Sequence, residues 1–277
     1  MKEIRTCPVC LRKTGLQTTL ALLDRRMICP AGHSFDLAGG GYVNLLPPSA
    51  KSHGDNKAMV QARRALLDSG IYRPFCDALT ELAKEWLPPN AVLWDSGCGE
   101  GYYTAALAAC RPDLTVYASD LSTAALAAAH RRDSRLRLTA ASSYALPAQD
   151  ESVNGVVCLF APEALDEFRR ILAPDGLLIL GFPGRRHLYG LKEILYTTPY
   201  ENSPRDSFLE GFEPIAQQEI HYTQTINSPE LIHALFSMTP YAYRTGTEGK
   251  ARLDQLSTLT TEFHFCIILY KKNKFIL

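Results

Sequence analysis

No stretch of this 277-residue chain approaches the roughly 18 consecutive apolar residues of a membrane-spanning helix. The start, MKEIRTCPVCLRK, lacks the apolar core of a secretory signal. These absences predict a cytoplasmic protein with no membrane partner. Net charge is missing too: 29 basic side chains meet 29 acidic ones. Taken whole, that balance argues against a polyanionic partner. The remaining composition is ordinary, 46% apolar and 21% charged, which excludes a largely disordered chain. The length suits one large domain, or one ordinary domain with a small appendage, and a core that needs no disulfides.

The zero is a cancellation. Residues 1–75 carry 11 basic side chains (Lys2, Arg5, Arg12, Lys13, Arg25, Arg26, Lys51, Lys57, Arg63, Arg64, Arg73) against 5 acidic ones, a surplus of 6. The other 202 residues hold 18 basic and 24 acidic groups, a deficit of the same size. A basic head on an acidic body points to a polyanion bound at the head.

The cysteines sharpen that division. Without an export signal, the eight are expected as thiols rather than as a disulfide framework. Three cluster early: Cys7-Pro8-Val9-Cys10, eighteen residues, then Cys29-Pro30-Ala31-Gly32-His33. Cys–x₂–Cys facing Cys–x₃–His is the ligand pairing of a tetrahedral zinc held between two short turns. Cys7, Cys10, Cys29 and His33 would fill the coordination shell, so the ion is structural, stabilising a segment too small for its own core. The intervening residues read as strand–turn–strand around Asp24-Arg25, which predicts a zinc ribbon.

Residues 1–46 form this ribbon and its exit, 47–56 have linker composition, and 57–277 form the larger domain. Helices are predicted from Lys57 (Met59, Ala62, Leu66 and Leu67 on one face) and over 73–87 (Phe75, Leu79, Leu82 and Trp86). Strands and helices then alternate: strands over 92–95, 115–119, 136–139, 153–160 and 177–182, helices over 103–110, 123–131 and 163–172. Such alternation means βαβ units and a mostly parallel sheet. A turn at Pro174-Asp175-Gly176 precedes the fifth strand, the C-terminal third is mixed, and 264–270 reads as a final buried strand.

After the first of these strands comes Asp95-Ser96-Gly97-Cys98-Gly99-Glu100-Gly101, opening a helix, and Asp120 ends the next strand nineteen residues later. Glycines let backbone approach a ligand closely, and an acid at the second strand end can hold ribose hydroxyls. A dinucleotide site wants G-x-G-x-x-G and tolerates no acidic loop beside a pyrophosphate. G-x-G-x-G led by Asp95 suits a cationic ligand.

Residues 90–185 resemble the class I S-adenosylmethionine (AdoMet) methyltransferases, whose first motif is D-x-G-x-G-x-G. The resemblance implies an α/β, Rossmann-like fold with a mostly parallel sheet, here with a small N-terminal zinc ribbon. Asp95, Gly97, Gly99 and Gly101 would face the methionine part of AdoMet and Asp120 its ribose. Ser142 stands where many relatives place an adenine-contacting Asp.

Nearly the whole chain resembles the bacterial 23S ribosomal RNA guanine-N1 methyltransferases, including the tylosin-resistance type. The matching stretches are the two ligand pairs, with Phe35-Asp36 after the second; 41–46 (GYVNLL); 61–64 (QARR); 97–104 (GCGEGYYT); Pro183-Gly184 with His187-Leu188; and 238–244 (MTPYAYR). Ser96 departs from the usual aliphatic residue. The family implies AdoMet-dependent methylation of guanine N1 in a 23S rRNA domain II hairpin lining the peptide exit tunnel. It also implies a homodimer whose ribbons help form an RNA cleft, serving rRNA maturation or macrolide resistance.

N1 lies on the Watson–Crick edge, so the guanine must be splayed from a loop into a pocket. Phe160, in Phe160-Ala161-Pro162, is placed to stack on it, and His187, beside Arg185 and Arg186, to orient it or touch phosphate. Arg25, Arg26, Arg63 and Arg64 are the candidate RNA contacts. Two other readings remain: an AdoMet methyltransferase for another RNA or for a small molecule, the latter having little use for the ribbon and basic head, and a non-catalytic RNA-binding protein, against which the intact Asp95, glycines and Asp120 argue.

Overall fold

A computed structural model describes residues 3–48 and 54–273. Met1, Lys2, residues 49–53 of the expected linker and residues 274–277 lie outside the described residues.

The N-terminal segment contains α1 (Pro8–Thr14) and a three-stranded antiparallel sheet, β1 (Ala21–Leu23), β2 (Arg26–Ile28) and β3 (Ser34–Asp36). The β1–β2 hairpin turns at Asp24 and Arg25, both in the left-handed region at φ 44° and 62°. Two residues with φ above zero make the two-residue turn whose twist matches antiparallel strands. The Cys7–Cys10 pair, expected as a bare turn, opens α1 instead. Cys7 caps it, its sulfur accepting the Cys10 N–H, and Pro8 occupies the first turn, where its missing N–H costs nothing.

The chain then enters the main sheet. β4 (Tyr42–Asn44), in the stretch expected as the ribbon's exit, pairs in parallel with the edge of an eight-stranded sheet. Helices α2 (Lys57–Asp68) and α3 (Arg73–Trp86) follow. Next come β5 (Val92–Ser96), α4 (Tyr102–Cys110), β6 (Thr115–Asp120), α5 (Thr123–Arg132), β7 (Arg137–Ala140) and β8 (Val153–Leu159). The chain continues through α6 (Leu165–Ile171), β9 (Leu172–Pro183), α7 (Tyr189–Leu195) and β10 (Phe212–Ile226). It closes with α8 (Pro229–Ser237), α9 (Tyr241–Arg244), α10 (Thr247–Asp254) and β11 (Leu259–Lys272).

The sheet order is β10-β11-β9-β8-β5-β6-β7-β4, with β11 antiparallel to both neighbours and β4 through β9 parallel. The order reverses at β5: the chain goes outward to β6 and β7, then returns to β8 on the other side. That reversal opens a crevice at the carboxyl ends of β5 and its neighbours, where open α/β sheets bind ligands.

Alternating residues sort onto two faces. Leu93, Val157 and Ile179 join a core with α3, α4 and α5, while Trp94, Val156 and Leu178 join a second core with Phe168, Ile171 and Ile4. Ile4 belongs to the ribbon segment, so the head is packed into the body. Main-chain bonds reinforce this: the Thr6 N–H donates to Pro147 O at 2.9 Å and the Gln149 N–H to Ile4 O at 3.1 Å.

Several expectations need correction. Trp86 is 37% exposed and leaves the buried face of α3, which Phe75, Leu79 and Leu82 form. The helix expected over 163–172 is only α6; Leu172 already begins β9. The turn at 174–176 lies inside that strand, as a bulge with Asp175 at φ 62° and a register shift against β8. The mixed C-terminal third contains β10, an edge strand of 15 residues whose outer face is exposed.

Candidate functional site

The head gathers Cys7, Cys10, Cys29 and His33. Their ligand atoms all lie within 4.8 Å of one another. His33 Nδ1 is 3.6 Å from Cys7 Sγ, 3.4 Å from Cys10 Sγ and 3.3 Å from Cys29 Sγ, and the Cys10 and Cys29 sulfurs are 3.7 Å apart. A tetrahedron with Zn–S near 2.3 Å and Zn–N near 2.0 Å has edges of about 3.5–3.8 Å. Three sulfurs ringing one imidazole nitrogen at that spacing fit a central ion; one nitrogen cannot hydrogen-bond to all three. The second knuckle is shaped by Gly32 at φ 82°, whose N–H donates to Cys29 O at 2.9 Å.

The crevice at the sheet's switch point is a cavity of about 1050 Å³. Asp95, Gly97, Gly99, Asp120, Ser142, Phe160 and His187 all line it. The glycine loop leaves β5 with Gly97, Gly99 and Gly101 at φ 83°, 55° and 82°. A Cβ on Gly97 would meet Ala161 Cβ at 2.5 Å, and one on Gly101 would meet Ala129 Cβ at 2.7 Å. At Gly99 nothing lies within 4 Å, so that backbone faces open space where a ligand can approach.

Asp95 is 2% exposed and accepts the Thr104 hydroxyl at 2.5 Å. Burial pushes its carboxyl up to about 7. Asp120 is held by two backbone donors, Gly99 N–H at 2.9 Å and Ser122 N–H at 2.8 Å, and its pKa is likewise raised by burial. Buried Asp95 and half-buried Asp120, the latter also under the charge of Arg63, fit a cationic ligand bearing a ribose. Glu100 does not share this role. It is tied to Arg132, which also meets Asp68 at 2.8 Å, so the loop's acidity toward the cavity comes from Asp95 and Asp120. Ser142 is half-buried and its hydroxyl accepts the Tyr144 N–H at 3.3 Å.

Phe160 follows β8 at φ 54° and is 43% exposed. Phe75, at 5.1 Å, and Phe265, at 5.7 Å, support the ring from behind. His187 is 8% exposed and packs on Phe265 at 4.5 Å. Its Nδ1 accepts the His264 N–H at 3.3 Å, and burial drives its pKa down to about 3. The ring is therefore neutral with its proton on Nε2, a donor and not a base.

The arginines fall into three settings. Arg25 and Arg26 are exposed at the hairpin tip. Arg63 lines the cavity, paired with Asp55 at 2.8 Å, and Arg64 faces Asp68 at 3.5 Å. Arg185 and Arg186 are bound by Glu201, and Arg186 also by Glu262 at 2.8 Å, which leaves them less available for phosphate than the sequence suggests.

Sequence reasoning missed several lining residues. Leu121, 36% exposed immediately after Asp120, offers an aliphatic surface to the cavity, and its place in the chain was the available signal. Tyr200 also lines the cavity, from a segment whose sequence has no periodicity to read, and so does Tyr241, for which the resemblance over 238–244 was the available signal.

A strand–glycine loop–helix at the switch point, an acid ending the next strand, and a last strand, β11, inserted antiparallel between β9 and β10 define a class I AdoMet-dependent methyltransferase. A methyltransferase-domain profile matches residues 93–176, and the zinc-ribbon profile described as "RlmA, N-terminal" matches residues 6–53. A Micromonospora griseorubida protein named as a 23S rRNA (guanine-N1)-methyltransferase is 34% identical over 86% of both chains. The Streptomyces fradiae 23S rRNA (guanine(748)-N1)-methyltransferase is 30% identical over 89% of this chain and 88% of its own. A Bacillus subtilis relative, YxjB, is 28% identical over 91% of both. The chain belongs to the 23S rRNA (guanine-N1)-methyltransferase family.

Proposed function

We propose that this protein methylates N1 of a guanine in a domain II hairpin of 23S rRNA lining the peptide exit tunnel. The observation that carries this reading is the single cavity shared by the glycine loop, Asp120, Phe160 and His187. It is large enough for a methyl donor and a splayed base together.

In this reading Asp95 and the backbone of Gly97 and Gly99 hold the methionine part of AdoMet, Asp120 its ribose, and Ser142 approaches the adenine, while Gly101, expected beside them, packs against Ala129 outside the cavity lining and lets the loop turn into α4. AdoMet bound there supplies an electrophilic methyl group. Phe160 stacks on the guanine and fixes its plane. The methyl would leave the sulfonium for N1, with S-adenosylhomocysteine as the leaving group, and the N1 proton would pass to solvent water; as it departs, negative charge spreads onto guanine O6, and the Nε2–H of His187 is the donor suited to meet it. Positioning the two reactants accounts for much of the acceleration.

Zinc held by Cys7, Cys10, Cys29 and His33 keeps residues 1–46 folded as the RNA-recognition domain. Residues 47–56 link it to the methyltransferase domain, 57–277. Arg25, Arg26, Arg63 and Arg64 contact phosphate, and two chains form a homodimer in the cytoplasm. No described helix is long and apolar enough to cross a membrane. The modification serves rRNA maturation or macrolide resistance.

Primer extension on 23S rRNA from a strain lacking the enzyme tests the reading. N1 methylation blocks base pairing, so a reverse-transcription stop at one domain II guanine should appear after incubation with protein and AdoMet. An unchanged ladder would sink it.

A further inference from the structure

The C-terminal part of the chain contributes its own stretch of cavity lining. Residues 200–203 and 237–241, with Tyr243 and Arg244, border the cavity. Two aromatic rings there face solvent: Tyr200 is 43% exposed, and Tyr243, at 78%, is the most exposed large apolar side chain among the described residues. Arg244 is exposed beside them. Its charge acts on the Tyr200 phenol, against the burial that raises that group's pKa.

Tyr200 is held in place, and so is the helix that carries Tyr243. Lys192 is fully buried, and its ammonium donates to Tyr200 O at 3.0 Å and to Asn202 Oδ1 at 2.8 Å. It also lies 4.4 Å from the centre of the Tyr200 ring and 5.6 Å from that of Tyr241, the first residue of α9. Asn202 in turn donates to Gly184 O at 2.7 Å, between β9 and His187. A buried ammonium satisfied by a carbonyl, an amide and two ring faces is costly to install. It fixes Tyr200 and α9 relative to the His187 loop.

We propose that Tyr200, Tyr243 and Arg244 form a platform for the RNA nucleotides flanking the target guanine. This rests on the RNA-methylating function proposed above. Turning a guanine out of a loop strips stacking partners from its neighbours. Exposed aromatic faces and a guanidinium at the mouth of the receiving pocket replace that lost stacking, as single-stranded RNA recognition requires. Arg244 matches the polyanion, and the sequence independence of ring stacking leaves base choice to the pocket.

The test uses the full-length protein and a domain II hairpin RNA with 2-aminopurine next to the target. Wild-type protein should alter the reporter's fluorescence on binding. Tyr243→Ala and Tyr200→Ala should each weaken RNA affinity by roughly five- to a hundredfold and reduce that change. AdoMet affinity should stay as in wild type, and Tyr243→Phe should restore RNA binding. Phe208→Ala removes a ring that is 73% exposed but lies outside the cavity lining, and should change nothing. Wild-type RNA affinity in both Ala variants would overturn the platform, as would a loss confined to AdoMet, which would assign the rings to the methyl donor. A missing reverse-transcription stop with wild-type protein would overturn the proposed function and the platform together. A normal stop with unaltered variants overturns the platform alone.

Discussion

His187 accepts the backbone N–H of His264 at Nδ1, across 3.3 Å. One main-chain group on β11 thereby sets the tautomer of a ring on the β9–α7 loop, and the Nε2–H becomes the chemically useful atom.

His187→Ala should lower kcat by about ten- to a thousandfold while AdoMet affinity holds, the scale of losing one donor to a developing oxyanion. A buried ring with its pKa near 3 stays neutral through the working range, so the pH–rate profile should show no His187 inflection near 6.5. A limb there that vanishes in His187→Ala would refute the donor role. The same shift bears on stability. The unfolded ring takes up a proton near 6.5 and the folded one near 3, so its contribution is complete above 6.5 and is lost as pH falls through that interval.

Asp95 should make AdoMet binding pH-dependent. Its carboxyl titrates at about 7, and only the ionised form attracts a cation. Affinity should therefore fall as pH drops below about 7, by up to roughly tenfold per unit. Asp95→Asn should bind weakly and lose that slope; calorimetry between pH 5.5 and 8 reads both. Because the folded pKa is raised from 3.8, the ligand-free protein loses this contribution to stability as pH rises through 7.

Asp120→Ala removes the proposed ribose acceptor and also the acceptor of the Gly99 and Ser122 N–H groups. AdoMet affinity should fall at least tenfold, the scale of hydrogen bonds to a charged group. Unchanged affinity in equilibrium dialysis would misplace the ribose site.

Cys29→Ser should lower the metal content from one zinc per chain and weaken RNA binding, with AdoMet binding preserved. Elemental analysis showing full zinc in the variant would remove Cys29 from the ligand set.

RNA affinity should decline steeply with salt, and Arg25→Ala with Arg26→Ala should flatten the dependence by about one unit of log–log slope per lost phosphate contact. A flat wild-type response would strip the basic head of its role.

Much of the parallel sheet was readable because β5, β6 and β8 are short apolar runs bounded by Gly, Pro and polar turns. The zinc cluster and glycine loop were readable because metal and backbone chemistry fix residue type and spacing. β10 was not. As an edge strand it buries only one face, and its exposed polar residues (Gln217, Glu219, His221, Thr223) resemble a loop. The bulge at Asp175 also escaped, because Pro174-Asp175-Gly176 signals a turn wherever it sits. The tautomer of His187 and the ion pairs that engage Arg185 and Arg186 depend on partners up to 77 residues away, such as His264, which local sequence cannot reveal.

The bonds joining Ile4 and Thr6 to Pro147 and Gln149 make the zinc-bearing head and the loop beginning at Ser142 parts of one frame. If the head grips a helical feature of the rRNA, that frame works as a caliper. The nucleotide modified is then the one lying a fixed span from the grip, and a guanine shifted by one position along the hairpin would miss the methyl donor with every contact at the head intact.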